Sequence, residues 1–269
     1  MHQFDRDISV TRLAGNEFSV EISDAWQINV GPNGGYIAAI LLNATKQLVQ
    51  DKQTRKFSCH FLSASAPGPA SVDVTLEKTG RTLTTAITKL VQRNRTIAIS
   101  VATFANSQAA LTFNEIAMPL VPRPDEVPAG HVMAPGVLHY APFRSQYEQR
   151  LAIGPIPAEA DGTTQVGGWT RFRTPRVVDD LALLAISDSW FPSMHAKTDA
   201  PVHAPTIDHT VHFLNPMPTS HPGDFVLVAF ETKIAADGFL IEDGLIWSES
   251  GTLLARCRQL AIILDQVSP

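Results

Sequence analysis

The chain has 269 residues, 44% of them hydrophobic and 17% charged, enough to bury a core in one or two domains, so disorder and a coiled coil are excluded. Lys plus Arg number 21 against 26 Asp plus Glu, a formal charge of −5 with no basic block, which argues against nucleic acid or an anionic membrane as main partner. A small neutral or locally anionic ligand fits better. The longest unbroken apolar stretches, such as Ile37 to Leu42 and Leu181 to Ile186, fall short of the roughly 20 residues that span a bilayer. The start, Met1-His2-Gln3-Phe4-Asp5-Arg6-Asp7, lacks a secretory pattern, and Val267-Ser268-Pro269 is no peroxisomal or prenylation address, so a cytoplasmic location is expected. Cys59 and Cys257 have no CxxC spacing and indicate neither a disulfide framework nor a thiolate metal site.

In chain order, strands are predicted over Ile8 to Leu13 and Glu17 to Ile22. Gly31-Pro32-Asn33-Gly34-Gly35 then opens a helix from Gly34 to Val49, so poor in polar residues that protein must surround it. A strand follows from Thr54 to Leu62, then Thr82 to Gln92 and Thr96 to Ala105, joined by the polar turn Arg93-Asn94-Arg95. Residues 106–142 contain Pro119, Pro122, Pro124, Pro128, Pro135 and Pro142 without sustained periodicity, as a linker does. Strand character returns at Phe143 to Ile153 and Gln165 to Arg173. A second apolar helix is predicted from Val178 to Met194, then strands at Thr206 to Leu214, Phe225 to Thr232, Phe239 to Ser248 and Thr252 to Leu264.

The order repeats itself. Thr54, His60, Phe61 and Leu62 match Thr206, His212, Phe213 and Leu214 at one shift of 152 residues (206 minus 54), and Pro67-Gly68 and Pro222-Gly223 follow. An antiparallel sheet curled around one buried helix is the hotdog fold. The expected architecture is therefore α+β, a double hotdog with two antiparallel sheets, each wrapped around a long buried helix. Its parts are an N-terminal hotdog (1–105), a Pro-rich linker (106–142) and a C-terminal hotdog (143–269), with an internal pseudo-twofold replacing the symmetry of a homodimer.

Several polar residues fall where apolar ones belong. In the second helix Leu181, Leu184, Ala185 and Asp188 stand at i, i+3, i+4 and i+7, which puts a carboxylate on the leucine stripe. Unpaired, it would cost several kcal/mol, so it needs partners or a wet pocket; a structural acid and a catalytic one both satisfy this. Trp190 and Phe191 follow, as lining of an acyl pocket or as plain core. In the last strand Gln259 is the strongly polar member of the face shared by Leu253, Ala255, Cys257 and Ala261. It either shares a site with Asp188 or bonds a neighbouring strand. Thr206 could join such a site, although alternation puts it with Asp208, Thr210 and His212, away from Val211 and Phe213. The repeat shift maps Asp188 onto Tyr36, Thr206 onto Thr54 and Gln259 onto about Thr103. Glycines at 34 and 35 would let a substrate oxygen reach backbone N–H groups at the helix start, or simply form a tight turn.

Other chemistries lack their residues. There is no GxSxG for a serine hydrolase, no phosphate-loop pattern, and His209 and His212 face opposite sides of one strand, which argues against a metal. The Gly-Asp-x-Asn-Pro-x-His element of hotdog hydratases is missing. Taken together, the Gly34-Gly35 helix start, His60-Phe61-Leu62 with Pro67-Gly68, Trp169-Thr-Arg171, Leu183-Leu184-Ala185-Ile186-Ser187-Asp188, Thr206-Ile207-Asp208-His209 and the Gln259 strand resemble the acyl-CoA thioesterase II family across nearly the whole chain. The resemblance implies a double hotdog that hydrolyses fatty acyl-CoA to free acid and CoA without a cofactor. It places Asp188, Thr206 and Gln259 around the attacking water; Gly34, Gly35, Tyr36, Trp190 and Phe191 are the expected substrate-binding residues. The sequence departs from the family's Gly-Gly-Gln by having Tyr36 after the glycines. Acyl-CoA is the implied partner, with no nucleic acid and no membrane span; homo-oligomerisation stays open. The alternatives are a non-catalytic acyl-CoA or lipid-binding hotdog protein and a hotdog enoyl-CoA hydratase.

Overall fold

A computed structural model of the chain describes residues 1–28, 30–130, 141–199, 202–214 and 220–264; Pro135 and the final Val267-Ser268-Pro269 lie outside them. The chain opens with a helix, Gln3–Asp7 (α1), and of the strand predicted from Ile8 to Leu13 only Thr11–Arg12 (β1) forms. Phe4 and Ile8, one helical turn apart, are both buried, so helical spacing prevails. Glu17–Ile22 (β2) forms as expected, and the short pair Gln27–Ile28 (β3) and Gly31–Pro32 (β4) leads into the helix Gly34–Lys46 (α2). Asn33 caps α2 by accepting from the Tyr36 N–H at 3.1 Å. Every residue from Gly35 to Leu42 is buried, as an apolar helix requires.

Four long strands follow: Gln53–Phe61 (β5), Gly68–Thr79 (β6), Leu83–Gln92 (β7) and Arg95–Ala105 (β8). The sequence reading passed over β6, yet Val72 and Val74 are buried between exposed Asp73 and Thr75, a period of two. Arg93 and Asn94 both have positive φ, 51° and 60°, the tight hairpin turn expected there. In the second half a 3₁₀ turn at Pro142–Gln146 replaces the first part of the strand predicted from Phe143. Tyr147–Ile153 (β9), Gln165–Phe172 (β10), the helix Asp180–Ile186 (α3), Thr206–Phe213 (β11), Val226–Ala236 (β12), Phe239–Ser248 (β13) and Leu253–Ile262 (β14) complete the chain.

Two expectations are corrected. The second helix is short: the Ser187 and Ser189 hydroxyls donate to the carbonyls of Leu184 and Ile186, tightening the chain into i→i+3 turns, and Pro192 prevents continuation. And among the described residues the two halves do not form separate sheets. Apart from β3 and β4, the strands form a single twelve-stranded sheet in the order β1-β2-β6-β7-β8-β5-β11-β14-β13-β12-β10-β9. β5 and β11 pair antiparallel with Ser58 opposite Thr210, and their hydroxyls lie 2.7 Å apart. These residues are separated by the repeat shift of 152, so the pseudo-twofold passes through this pair and backbone hydrogen bonds close the seam.

Both helices share one core with inward side chains of the sheet, among them Phe57, Val72, Ala102, Val211, Val228 and Ala255. The proline-rich stretch does more than connect. It contains a 3₁₀ turn, Pro124–Glu126, and Met118, Val121 and Val127 cover Trp169, Leu227 and Trp247 in a separate apolar cluster. Trp169 Nε1 donates to Pro122 O at 2.8 Å.

The start of α2 packs against the end of α3. A Cβ on Gly35 would stand 2.8 Å from Ala185 O and 3.0 Å from Asp188 Cβ. Gly35→Ala must push these backbones apart, and a loss of about 1–3 kcal/mol in urea unfolding is expected. A stability unchanged within error would show that the contact yields freely.

Candidate active site

Asp188 sits just past the end of α3, in the serine-rich turn, and not within a helix as the stripe argument assumed. Its Oδ2 accepts from the Gly35 N–H at 2.8 Å and from Asn33 Nδ2 at 3.0 Å, while Asn33 Nδ2 also reaches the Asp188 carbonyl at 2.8 Å. Oδ1 has no hydrogen-bond partner among the described residues. Burial pushes the Asp188 carboxyl up to about 6, and the neighbouring Glu242 charge adds to this; the Gly35 and Asn33 bonds and the Arg144 guanidinium pull the other way.

Asp188 lines a cavity of about 560 Å³ together with Gly34, Trp190, Phe191, Thr206 and Gln259. The structure thus brings most of the sequence candidates together. Thr206 gets there through a β-bulge that strand alternation could not foresee. The β11–β14 register shifts between Thr206 and Asp208, so Thr206 stands opposite Ala261 on the inward side, and its Oγ1 donates to Gln259 Oε1 at 2.9 Å. Trp190 is anchored by its Nε1, which donates to Thr170 Oγ1 at 2.7 Å.

Two candidates take other places. Gly35 gives its N–H to Asp188, so it orients the carboxylate and has no donor left for a substrate oxygen. The Gly34 N–H makes no hydrogen bond among the described residues, and a Cβ at Gly34 would lie 2.9 Å from Phe61 Cζ and 3.0 Å from Asp188 Oδ2. Tyr36 does not line the cavity at all. It is fully buried and stacked on Trp26 at 5.1 Å; its hydroxyl donates to Asp7 O and accepts from the Ser23 N–H.

The sequence reading missed Asn33, Glu242 and Arg144. Glu242 on β13 is 4% exposed, lines the cavity, and accepts from Gln259 Nε2 at 2.7 Å through Oε1. Leu240, Glu242, Gly244 and Ile246 share one strand face, so the alternation that picks out Gln259 also exposes this acid. Arg144 also lines the cavity. Its Nε and Nη1 are shielded from solvent and have no partner among the described residues, and burial pulls the guanidinium down to about 10. His209, held near 4 by burial, is neutral and lies 2.7 Å from Ser187 Oγ through Nε2. Ser187 has no exposure and gives its hydroxyl proton to Leu184 O, which makes this pair a brace for the turn and not a nucleophile.

Among the described residues, the first half places other groups at the equivalent positions. The helix caps Asn33 and Asp179 do the same job, so the helices align at a shift of 146 (179 minus 33), six less than the strands. Asp188 therefore corresponds to the buried Leu42, not to Tyr36, and Gly34 to Asp180. Thr54, the counterpart of Thr206, donates to Asp180 at 2.5 Å, and Lys46 pairs with the same carboxylate.

The sequence profile of the acyl-CoA thioesterase N-terminal domain matches residues 22–105, and that of the acyl-CoA thioesterase C-terminal domain matches residues 118–263. Human acyl-coenzyme A thioesterase 8 is 21% identical over 262 residues, covering 86% of this chain and 79% of that protein. Uncharacterized protein Mb0510 of Mycobacterium bovis is 25% identical over 278 residues, covering 93% and 91%. A solved structure with the hot dog fold from Alicyclobacillus acidocaldarius matches at a TM-score of 0.90 and 25% identity over 99% of this chain and 100% of that one. The acyl-CoA thioesterase II TesB2 of Mycobacterium marinum shares the fold at a TM-score of 0.77 and 19% identity, over 98% and 99%. The two profiles together span most of the sequence and the fold is that of the hotdog proteins, so this chain belongs to the acyl-CoA thioesterase family.

Proposed function

We propose that the protein hydrolyses fatty acyl-CoA to free acid and CoA by direct attack of water, with Asp188 as general base. The observation that carries this is a carboxylate raised to about 6, with one oxygen fixed by Asn33 and Gly35, in a cavity shared with Thr206 and Gln259. In this reading Asp188 Oδ1 takes a proton from the water as its oxygen bonds to the thioester carbon. The C–S bond then breaks, and the proton passes to the departing CoA sulfur. Thr206 and Gln259 hold the water, and the Gly34 N–H polarises the carbonyl. Trp190 and Phe191 face the acyl chain. No covalent intermediate is invoked: burial drives the thiols of Cys59 and Cys257 far above their ordinary range, and Ser187 is sealed off. Residues 1–105 and 143–269 act as two hotdog halves joined by 106–142, with one productive site per chain. The unlike residues at Leu42 and Asp180 support that inequality. Among the described residues no helix is long and apolar enough to cross a membrane, and the two free, buried cysteines suit the cytoplasm.

A thiol-release screen across acyl-CoA chain lengths tests the reaction directly. Asp188→Asn is expected to lower the rate by about two orders of magnitude or more while the protein stays folded; near wild-type turnover would remove Asp188 from the mechanism. A single turnover in ¹⁸O-water should place the label in the released acid and leave Asp188 unlabelled.

The raised carboxyl has consequences for pH. Activity requires the ionised form, so the acid limb of kcat/KM should fall as pH drops through about 6. For stability the sign is opposite. Between about 6 and the ordinary 3.8 the folded state holds a proton that the unfolded chain releases, so ionisation weakens folding progressively over that window and fully above it. Asp188→Asn should accordingly be more stable than wild type at pH 7, on the order of 1–3 kcal/mol, with the gain vanishing near pH 4. Equal stability at both pH values would contradict the assignment.

A further inference from the structure

We propose that Glu242 is a positioning residue: it fixes which way the Gln259 amide points, and so sets which atoms of the Gln259–Thr206 pair donate and which accept. This rests on the thioesterase reading of the cavity, and deepens it.

The argument is a count of protons. Glu242 Oε1 accepts from Gln259 Nε2 at 2.7 Å; Oε2 accepts from the Ser193 N–H at 2.5 Å and from Ser193 Oγ at 2.6 Å. Ser193 Oγ in turn lies 2.7 Å from Thr232 Oγ1, which supplies the proton on that side. Three donors converge on the carboxylate, and no cation pairs with it among the described residues. Gln259 turns its NH₂ to Glu242 Oε1, an oxygen that can only accept there because the three donors converge on the group. The amide oxygen is thereby turned toward Thr206, whose hydroxyl spends its single proton on it at 2.9 Å.

What the pair offers the cavity follows. Thr206 Oγ1 can only accept, and Gln259 retains one Nε2–H that can only donate. A water placed between Asp188 Oδ1 and Thr206 Oγ1 then gives one proton to each and turns a lone pair outward, as attack on a carbonyl requires. The remaining amide proton suits the carbonyl oxygen. With a neutral side chain at 242 the amide can flip; Thr206 would then become a donor, and the water would be held in the wrong sense.

Glu242 acts through Gln259, so a double-mutant cycle is the test. Glu242→Gln should lower kcat for thiol release by about tenfold or more, with KM changed less than about threefold. In a Gln259→Ala background the same substitution should have almost no further effect. Equal losses in both backgrounds, or a folded Glu242→Gln protein with undiminished kcat, would overturn the proposal. Should that variant fail to fold, Ser193→Ala, which removes one donor and leaves the charge, should give a smaller loss in kcat with the same non-additivity; additive loss would again refute it. The side-chain amide NMR signal of Gln259, assigned by its absence in Gln259→Ala, is independent of turnover. One amide proton should be displaced downfield in wild type, stay displaced in Ser193→Ala, where the charge remains, and return toward the free-glutamine position in Glu242→Gln. A wild-type protein that releases no thiol from any acyl-CoA would refute the thioesterase reading, while an undisplaced amide proton would refute the role of Glu242.

Discussion

The contact on which the site depends is the close packing of the start of α2 against the end of α3, the two helices running alongside each other in opposite directions. Gly35 lies so close to Ala185 and Asp188 that any side chain would collide with backbone, and this closeness delivers the Gly35 N–H and the Asn33 amide to Asp188 Oδ2. The positive end of α2 thus holds a carboxylate supplied by the far side of the pseudo-twofold. Burial alone would drive that acid to be neutral; the donors alone would make it too weak a base. Their opposition leaves it at about 6, ionised at neutral pH and still able to take a proton.

The same junction exists in mirrored form at the other ends of the two helices, with other residues in it. Asp180 stands where Gly34 would be, and its carboxylate is taken up by Lys46 and Thr54. An ion pair with a hydroxyl satisfies all three partners and leaves no oxygen directed at a ligand. Since β5 and β11 join the halves by backbone bonds around Ser58 and Thr210, neither half has to be a copy of the other for the sheet to close. Duplication supplies the frame, and one junction can serve stability while the other serves chemistry.

Much of this was legible in the sequence because it rests on periodicity. Helices without a polar face must be enclosed, and the 152-residue shift marks the two strands that form the seam. The candidate site was legible only in part. Asp188 was found on the right side of the chain by a helical argument that fails at Ile186, where serine hydroxyls tighten the turn. Alternation puts Thr206 on the wrong face because the bulge at Ile207 adds a residue that alternation does not register. A single shift of 152 makes Tyr36 the counterpart of Asp188, but the helices align six residues short of it. Asn33 reads as a helix cap from its neighbours; its second task, 155 residues away, has no local signature. Glu242 is different, since the parity that isolates Gln259 isolates it equally.

Two carboxylates therefore meet in one cavity, and burial raises both. Acidity alone does not say which is the base. Their hydrogen bonds do. Both oxygens of Glu242 are occupied by donors from Ser193 and Gln259, so taking a proton there would dismantle the bonds that hold it. Asp188 has all its donors on Oδ2 and keeps Oδ1 without a partner among the described residues, so it can receive a proton with its fixed oxygen undisturbed. The fully satisfied acid shapes the site and the half-satisfied one reacts, a division of labour set by how many N–H and O–H groups the fold directs at each oxygen.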